Sequence, residues 1–292
     1  MPELPEVETL KRELARVLPG RVVKSVKITW PKTVAPLTPR QFAIRLHGRI
    51  ITAVSRRAKI LLISLTPGQL ILAIHLKMTG QLIYYPQGST LKPAKVEPLI
   101  IGGHPQARPF RYTRVIFNFT DGSRLYFNDL RKFGWLKILP AGEVRQIHEQ
   151  HGLEPLSANF TLKNFAAALK RYPRRRLKQI LLDQTVIAGL GNIYADEVSF
   201  AAGLRPTRHV KTLSANEMKK LRRAIKKVLR RAIKKGGTSS RNYVRSDGAP
   251  GGFAAYLKVY GRAGKPCQYC GQPIVKIKLA GRGTHFCPRC QK

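Results

Sequence analysis

Met1-Pro2-Glu3-Leu4-Pro5-Glu6-Val7-Glu8 opens the chain, and two readings compete for it. The first is a helix start. Val7, Leu10, Leu14 and Val17 recur at helical spacing, so a helix is predicted from about Pro5 to Leu18. Pro5 then sits in the first turn, and Glu6 and Glu8 complement the positive end of the dipole. The second reading starts from Pro2. Removal of Met1 before a small residue would leave a secondary amine, and α-amino groups titrate near ~8, so part of it is unprotonated at neutral pH. Such an amine can attack an electrophilic carbon and form an iminium, an electron sink. A carboxyl one residue away, Glu3, could move the protons. Pro5 leaves Glu3 outside the regular helix, so the helix start alone does not account for it. On these residues alone the helix start is the commoner pattern and the one to favour, with Glu3 left over.

Composition narrows the field. The 292 residues carry 54 Lys plus Arg against 15 Asp plus Glu, a formal charge of +39, yet Glu3, Glu6, Glu8 and Glu13 crowd into the first thirteen positions. At 43% apolar content the chain has enough for folded cores, and its length allows two domains and a small appendage. The charge calls for a polyanionic partner, nucleic acid before an acidic membrane. No apolar run reaches transmembrane length, and the N-terminus is acidic where a signal peptide is basic. All four cysteines fall in the last 26 residues, which suits a reducing cytosol and one metal site better than a disulfide framework.

Beyond the first helix, residues 21–30 alternate and read as a strand. His47–Ser55, Lys59–Leu65, Leu70–Leu76, Gln81–Tyr85, Tyr112–Phe119, Arg124–Phe127 and Gly134–Ile138 continue the pattern, with Thr66-Pro67-Gly68-Gln69 and Asp121-Gly122 as turns. Many short strands with regular turns imply an antiparallel sandwich or barrel ending near residue 140. Residues 86–110, with five prolines and Gly102-Gly103, interrupt it as a loop or insertion.

From Glu143 the period becomes helical: Phe160–Arg171, Arg174–Leu182, Asn192–Ala202 and Ser214–Lys235. Ser214 and Glu217 form a capping-box start, and Met218, Leu221, Ile225, Val228 and Ala232 make one apolar stripe among ten basic residues. That stripe fits a core, which leaves the basic face to solvent or phosphate rather than to a membrane. Gly189-Leu190-Gly191-Asn192 reads as an ordinary helix hairpin closed by glycines, or as an Asn-capped helix start able to receive a phosphate. Without strand–helix alternation around it, a dinucleotide fold is excluded.

Cys267-x2-Cys270, sixteen residues, then Cys287-x2-Cys290 has the spacing of a four-thiolate structural zinc site with no open coordination position. Ile274–Leu279 and His285-Phe286 read as two strands joined through Gly281-Arg282-Gly283, so one zinc ion would pin a hairpin with Arg282 at its tip. On a chain this basic such an Arg is a good phosphate contact.

The chain resembles the formamidopyrimidine-DNA glycosylase family of bacterial base-excision repair, almost end to end. The resemblance rests on Pro2 to Glu8, Arg57-Ala58-Lys59, His75-Leu76-Lys77-Met78, Asp129 to Gly134, Leu182-Asp183-Gln184, Gly191 to Glu197, and Gly281 to Cys290. The implied fold is α+β and multidomain: an N-terminal helix with an antiparallel β-sandwich (1–140), a helix-two-turn-helix DNA-binding domain (141–235), a lesion-capping loop and linker (236–260) and a zinc hairpin (261–292). The implied activity is removal of oxidised purines, chiefly 8-oxoguanine and formamidopyrimidines, from damaged double-stranded DNA, followed by β,δ-elimination. By the same resemblance Pro2 is the nucleophile, Glu3 the general acid and base, and Glu6 its support. Lys59 assists β-elimination and Arg282 δ-elimination. Met78, Arg131 and Phe133 would fill the gap left by a flipped nucleotide. Composition alone would make Phe133 a buried strand residue and Met78 a core filler. His75, Tyr112, Arg174, Lys178 and Asn192 complete the expected DNA contacts, and Gly236–Tyr256 corresponds to the loop that closes over the base. A monomer in the bacterial cytoplasm, held to the nucleoid through DNA, is the implied setting.

This chain departs from the family pattern in places. Arg111-Tyr112 stands where Lys-His is usual, and His151-Gly152-Leu153-Glu154-Pro155 replaces the commoner Leu-Gly-Pro-Glu-Pro. Three rivals follow: an endonuclease VIII-like enzyme for oxidised pyrimidines, a non-catalytic zinc-containing DNA-binding protein, and a membrane-surface protein using helix 214–235. The Leu4-Pro5-Glu6-Val7-Glu8 form argues against the first, and the acidic N-terminus of a basic protein is left unexplained by the second.

Overall fold

The structure, a computed structural model, describes residues 1–88, 111–240 and 242–292. The expected insertion at 86–110 therefore lies, from residue 89 on, outside the described residues. The chain divides into two compact units, Met1–His148 with Lys235–Gly252, and Glu149–Lys234 with Phe253–Lys292.

In the first unit, helix α1 (Leu4–Val17) precedes β1 (Val23–Ile28), a short 3-10 turn (Pro31–Val34) and α2 (Pro39–Leu46). Strands β2 (Ile50–Arg57), β3 (Ile60–Thr66), β4 (Leu70–His75), β5 (Gly80–Tyr85), β6 (Thr113–Phe119), β7 (Arg124–Asp129) and β8 (Trp135–Pro140) follow, then α3 (Val144–Glu149). They form two four-stranded antiparallel sheets, ordered β1-β6-β7-β5 and β2-β3-β4-β8. Side chains alternate between the faces of a strand, so one set from each sheet turns inward. Val26, Val115, Phe117, Leu125 and Phe127 from the first sheet share a core with Val54, Leu61, Ile63, Leu72, Ile74 and Leu136 from the second. Val7, Leu10 and Leu14 of α1 and Phe42 and Leu46 of α2 complete it.

The outward faces are covered over β3 and β5, which explains why these two read as nearly continuous apolar runs, while β1 and β2 keep exposed outward positions. Ile147 of α3 packs with Ile60, Leu62 and Ala73, and Val244 from the 235–252 segment packs with Ile83, Tyr85, Ile116 and Tyr126. The sandwich and both expected turns are present, with strand ends within a few residues of their predicted places. Two helices were not predicted. α2 is only eight residues long, but its capping box was there to read: Gln41 N–H donates to Thr38 Oγ1 (3.2 Å), Thr38 N–H donates to Gln41 Oε1 (3.0 Å), and Pro39 opens the helix. α3 has six residues, too few for a period to show.

The second unit is helical, with α4 (Leu162–Lys170), α5 (Leu177–Leu182), α6 (Asn192–Ala201) and α7 (Ala215–Lys234), followed by the hairpin β9 (Val275–Leu279) and β10 (Arg282–Phe286). α6 is buried along almost its whole length. α7 buries Met218, Leu221, Ala224, Ile225, Leu229, Ala232 and Ile233, so its stripe passes through Leu229 and Ile233 rather than Val228, as the 100° step of a helix requires. Ser214 N–H donates to Glu217 Oε2 (2.8 Å) and Glu217 N–H to Ser214 Oγ (3.2 Å), the predicted capping box. Among the described residues no helix is long and apolar enough to cross a membrane.

Candidate active site

α1 begins one residue beyond Glu3, which is its N-cap with extended backbone (φ −107°, ψ −170°). The predicted helix start is present, and Glu3 belongs to it as the cap, in a capping box with Glu6. Pro2, Glu3 and Glu6 are buried, Glu3 to 2% exposure. Glu6 Oε2 accepts the Glu3 N–H (2.8 Å) and its Oε1 accepts the Thr238 N–H (2.7 Å). One carboxylate thus fixes the peptide next to Pro2 and the beginning of the 235–252 segment together.

Lys59, also buried, occupies the two-residue turn between β2 and β3, where Ala58 takes φ +52°. α1 reaches that turn through Glu8. Arg56 Nε donates to Glu8 Oε2 (3.0 Å), and another guanidinium nitrogen of Arg56 donates to the Ala58 carbonyl (2.8 Å). Burial works against the Glu8 carboxylate, but Arg12 and Arg56, with Lys11 nearby, outweigh it and hold its pKa below the ordinary value. The residues named for the chemistry on this unit, Pro2, Glu3, Glu6 and Lys59, hence hang from the first two turns of one helix. Sequence offers no sign of the Glu8–Arg56 pair, because its members are 48 residues apart.

Met78, Arg131 and Phe133 come from two turns at one end of the sheet that pairs β5 with β7, where Gly80 faces Asp129. Buried Asp129 ties those turns together. It accepts from the Thr79 hydroxyl, from Arg131 N–H (3.2 Å) and from Gly134 N–H (2.7 Å), while Arg131 N–H also reaches Thr79 Oγ1 (3.0 Å). A Cβ on Gly134 would lie 2.5 Å from Phe127 Cζ, so only glycine fits there. Phe133 is 54% exposed and Met78 36%, and the Arg131 guanidinium stacks 4.8 Å above the Phe133 ring. Neither apolar side chain is in the core, contrary to what composition alone implied. His75 ends β4, accepting from Lys77 N–H (2.9 Å) and lying 5.6 Å from the Trp135 ring. Tyr112 is half-buried between the Arg111 and Arg114 guanidinium groups, each 5.9 Å from its ring.

On the second unit, Gly191 is the cap of α6 and Asn192 its first helical residue, a correction to the expected Asn cap. Arg282 is the first residue of β10, paired with Leu279 across an Ala280-Gly281 turn, so the tip is one residue shorter than the expected Gly281-Arg282-Gly283 and Arg282 lies at its edge. Its side chain is exposed. The next carbonyl, Gly283 O, is gripped by Lys178 Nζ (2.9 Å) and Asn192 Nδ2 (3.1 Å). Lys178 is only 1% exposed and also donates to Asp196 Oδ1 (2.7 Å), whose other oxygen accepts the His285 N–H (2.9 Å). Lys178 is therefore an internal brace between α5, α6 and the hairpin, not a surface cation. Arg174 is exposed, and its carbonyl lies 2.6 Å from His209 Nδ1.

The four cysteine sulfurs all lie within 4.8 Å of one another, Cys267 to Cys290 at 3.9 Å and Cys270 to Cys287 at 3.4 Å. Tetrahedral Zn–S bonds of about 2.3 Å place sulfurs roughly 3.8 Å apart, so the donor set fits one structural zinc ion. Burial raises the Cys267 thiol, but N–H groups of Tyr269 and Cys270 prevail and bring it down to about 7. Cys267 and Cys287 pack with Phe200, Val259 and Ile274, which joins the metal loop to α6.

Family models match in three places: the formamidopyrimidine-DNA glycosylase N-terminal domain over residues 1–136, the formamidopyrimidine-DNA glycosylase H2TH domain over 151–244, and the zinc finger found in FPG and IleRS over 264–292. The formamidopyrimidine-DNA glycosylases of Geobacillus kaustophilus and Listeria monocytogenes are 41% and 40% identical, with both chains covered in full in each comparison. Among solved structures, Lactococcus lactis Fpg with DNA containing an abasic site matches with a TM-score of 0.84 at 33% identity, covering 99% of each chain. The same protein with DNA containing an oxidised pyrimidine gives 0.83 at 33% identity over the whole of both chains. With the sandwich, the helical unit and the cysteine cluster all accounted for, the chain belongs to the formamidopyrimidine-DNA glycosylase family and is an enzyme of DNA repair.

Proposed function

We propose that the chain is a bifunctional DNA glycosylase and abasic-site lyase that removes oxidised purines from duplex DNA through a Pro2 Schiff base. The observation that carries this reading is the buried Pro2–Glu3 pair at the start of α1, held by Glu6 beside Thr238. While Met1 is attached, the Pro2 nitrogen is an amide and no nucleophile; its removal frees the amine. The amine then attacks C1′, and the base departs with the electrons of the glycosidic bond. The departing base takes a proton from water, and the N–H proton lost by the amine passes to Glu3, which delivers it to O4′ as the C1′–O4′ bond breaks and leaves an iminium at C1′. The iminium acidifies C2′–H. Loss of that proton expels the 3′ phosphate, and a second elimination expels the 5′ phosphate. Lys59 and Arg282 supply cations for the two departures.

Met78, Arg131 and Phe133 fill the space of the extruded nucleotide, and their exposure on one laced pair of turns supports the role. His75, Tyr112, Arg174 and Asn192 meet the strand, while buried Lys178 holds Asn192 and the hairpin in place. In this reading 1–140 does the chemistry, 141–235 and 261–292 hold DNA, and 236–260 covers the base. The protein acts as a monomer in the cytoplasm.

A second substrate class, oxidised pyrimidines, is favoured by the relative crystallised on such DNA. A panel of duplexes carrying 8-oxoguanine, a formamidopyrimidine or thymine glycol separates the two, and purine lesions are expected to be cut fastest. Borohydride trapping on 8-oxoguanine opposite cytosine tests the mechanism itself. An adduct on the N-terminal peptide, lost in Pro2→Gly and Glu3→Gln, is expected. Intact binding by Met1-free protein with no adduct would leave a non-catalytic DNA-binding protein and remove every catalytic assignment above.

A further inference from the structure

Residues 235–252 follow α7, a helix of the second unit, yet they pack with the first. Three sets of contacts bring them there. Glu6 takes the Thr238 N–H, and the Tyr243 hydroxyl donates to the Glu6 carbonyl (3.3 Å). On the sheet side, Tyr84 N–H donates to Ser246 O (2.8 Å), Gln81 Nε2 to Asn242 O (2.6 Å), and Val244 enters the outer apolar cluster. The third set belongs to Glu13. Its Oε1 accepts from Arg245 Nε (2.6 Å), and its Oε2 accepts both the N–H and the hydroxyl of Ser246 (2.9 Å each).

Glu6 and Glu13 are seven residues apart, two helical turns, so they lie on the same face of α1 about 10 Å from each other along the axis. Burial, and then the Glu6 and Glu13 carboxylates, keep the Tyr243 phenol far above its ordinary pKa, so it remains a neutral donor between them. At the near end of the segment there is no slack. A Cβ on Gly237 would lie 3.0 Å from Glu6 Oε1, and one on Gly251 would meet Gly236 O at 2.4 Å. Arg245 and Ser246 follow Thr238 by seven and eight residues, so Glu6 and Glu13 hold the two ends of one short stretch beside the reacting pair.

We propose that Glu13 is a positioning residue which, through Arg245 and Ser246, holds this segment over the Pro2–Glu3 pair, so that excision of an intact base depends on it while cleavage of a preformed abasic site does not. The proposal rests on the assignment of Pro2 and Glu3 as the reacting groups and of the segment as the cover of the extruded base. An abasic site presents no base to cover, and its chemistry needs only the amine, the carboxyl and the phosphate-side cations. Glu13 reaches none of these directly.

Single-turnover rates test this on two duplexes that differ only in carrying 8-oxoguanine or an abasic site. In Glu13→Gln and Arg245→Ala the excision rate is expected to fall roughly tenfold, the size of one charge-assisted hydrogen bond. Abasic-site cleavage should stay within about twofold of wild type. Combining the two substitutions should cost little more than either alone, since both break the same contact. Thermal melting of each variant checks the fold, and Arg245→Ala is the milder probe because it leaves the Ser246 bonds. Equal losses on both duplexes, or undiminished excision, overturn the proposal while the wild-type mechanism stands. A wild type inert on both duplexes would instead sink the assignment of Pro2 and Glu3, and this proposal with it.

Discussion

Replacing Lys178 by Met keeps most of its bulk but leaves Asp196 buried without its ammonium partner. Breaking a buried pair from one side costs about 3–5 kcal/mol. Lys178→Met should therefore show a large fall in melting temperature and lose DNA affinity through loosening of Asn192 and the hairpin. A role as a simple surface phosphate contact would instead leave the melt unchanged. Phe133→Ala and Met78→Ala test the opposite case. Their side chains are exposed, so stability should shift by no more than about 0.5 kcal/mol. Excision should slow roughly tenfold or more, since a stacked base is worth about 1–3 kcal/mol. At this scale the sequence was informative where chemistry dictates a residue type, as at the four cysteines. The burial of Lys178 was not readable there, because a lysine expected at DNA reads as a surface charge until the carboxylate 18 residues away is seen beside it.

α1 shows how one helix can serve several neighbours. Val7, Leu10 and Leu14 enter the core, Glu8 secures the Lys59 turn, and Glu6 and Glu13 face the returning segment. Periodicity exposed the first of these faces and hid the others, since their partners lie 48 to 233 residues away. The strands were legible from alternation and turn residues, whereas α2 and α3 were too short for a period. α7 offers a pH test. Arg208 above all, then the Ser214 contacts, bring Glu217 down from an ordinary 4.5 to about 2. The folded pKa lies below the unfolded one, so this contact stabilises above pH ~4.5 and is lost as pH falls through ~2. The stability difference between wild type and Glu217→Gln should shrink across that window in acid titrations followed by circular dichroism. Removing zinc with a chelator should release the hairpin carrying Arg282 and weaken DNA binding, while the helical signal of α4–α7 persists.

For the molecule as a whole, the excess of cations still calls for an account. Seven exposed cations of α7, Lys219, Lys220, Arg223, Lys227, Arg230, Arg231 and Lys234, fall within about a third of the helix circumference at 100° per residue. Our hypothesis is that the +39 charge compensates for high intracellular salt or for weaker specific contacts. Binding to undamaged duplex should then show a steeper fall of log K with log salt than a less basic relative. Changing Lys219, Lys220, Arg223 and Lys227 to Gln should flatten that slope by about 0.9 for each residue that meets a phosphate. Equal slopes would count against the hypothesis. Domain limits were only partly readable in the sequence, because composition cannot reveal that a stretch following a helix of one unit packs with the other.

That return of residues 235–252 to the first unit has a consequence for how the protein is made. Glu149–Lys234 must leave the ribosome before the partners of Glu13 can appear. At about 5–20 residues per second the wait is roughly 5–20 s. During that interval the nascent sandwich carries a Glu13 that lacks Arg245 and Ser246, with the outer cluster around Tyr126 still without Val244. A chain stalled at that point holds a nearly finished sandwich whose last piece, residues 235–252, has yet to be made, so the first unit is among the first parts translated and among the last completed.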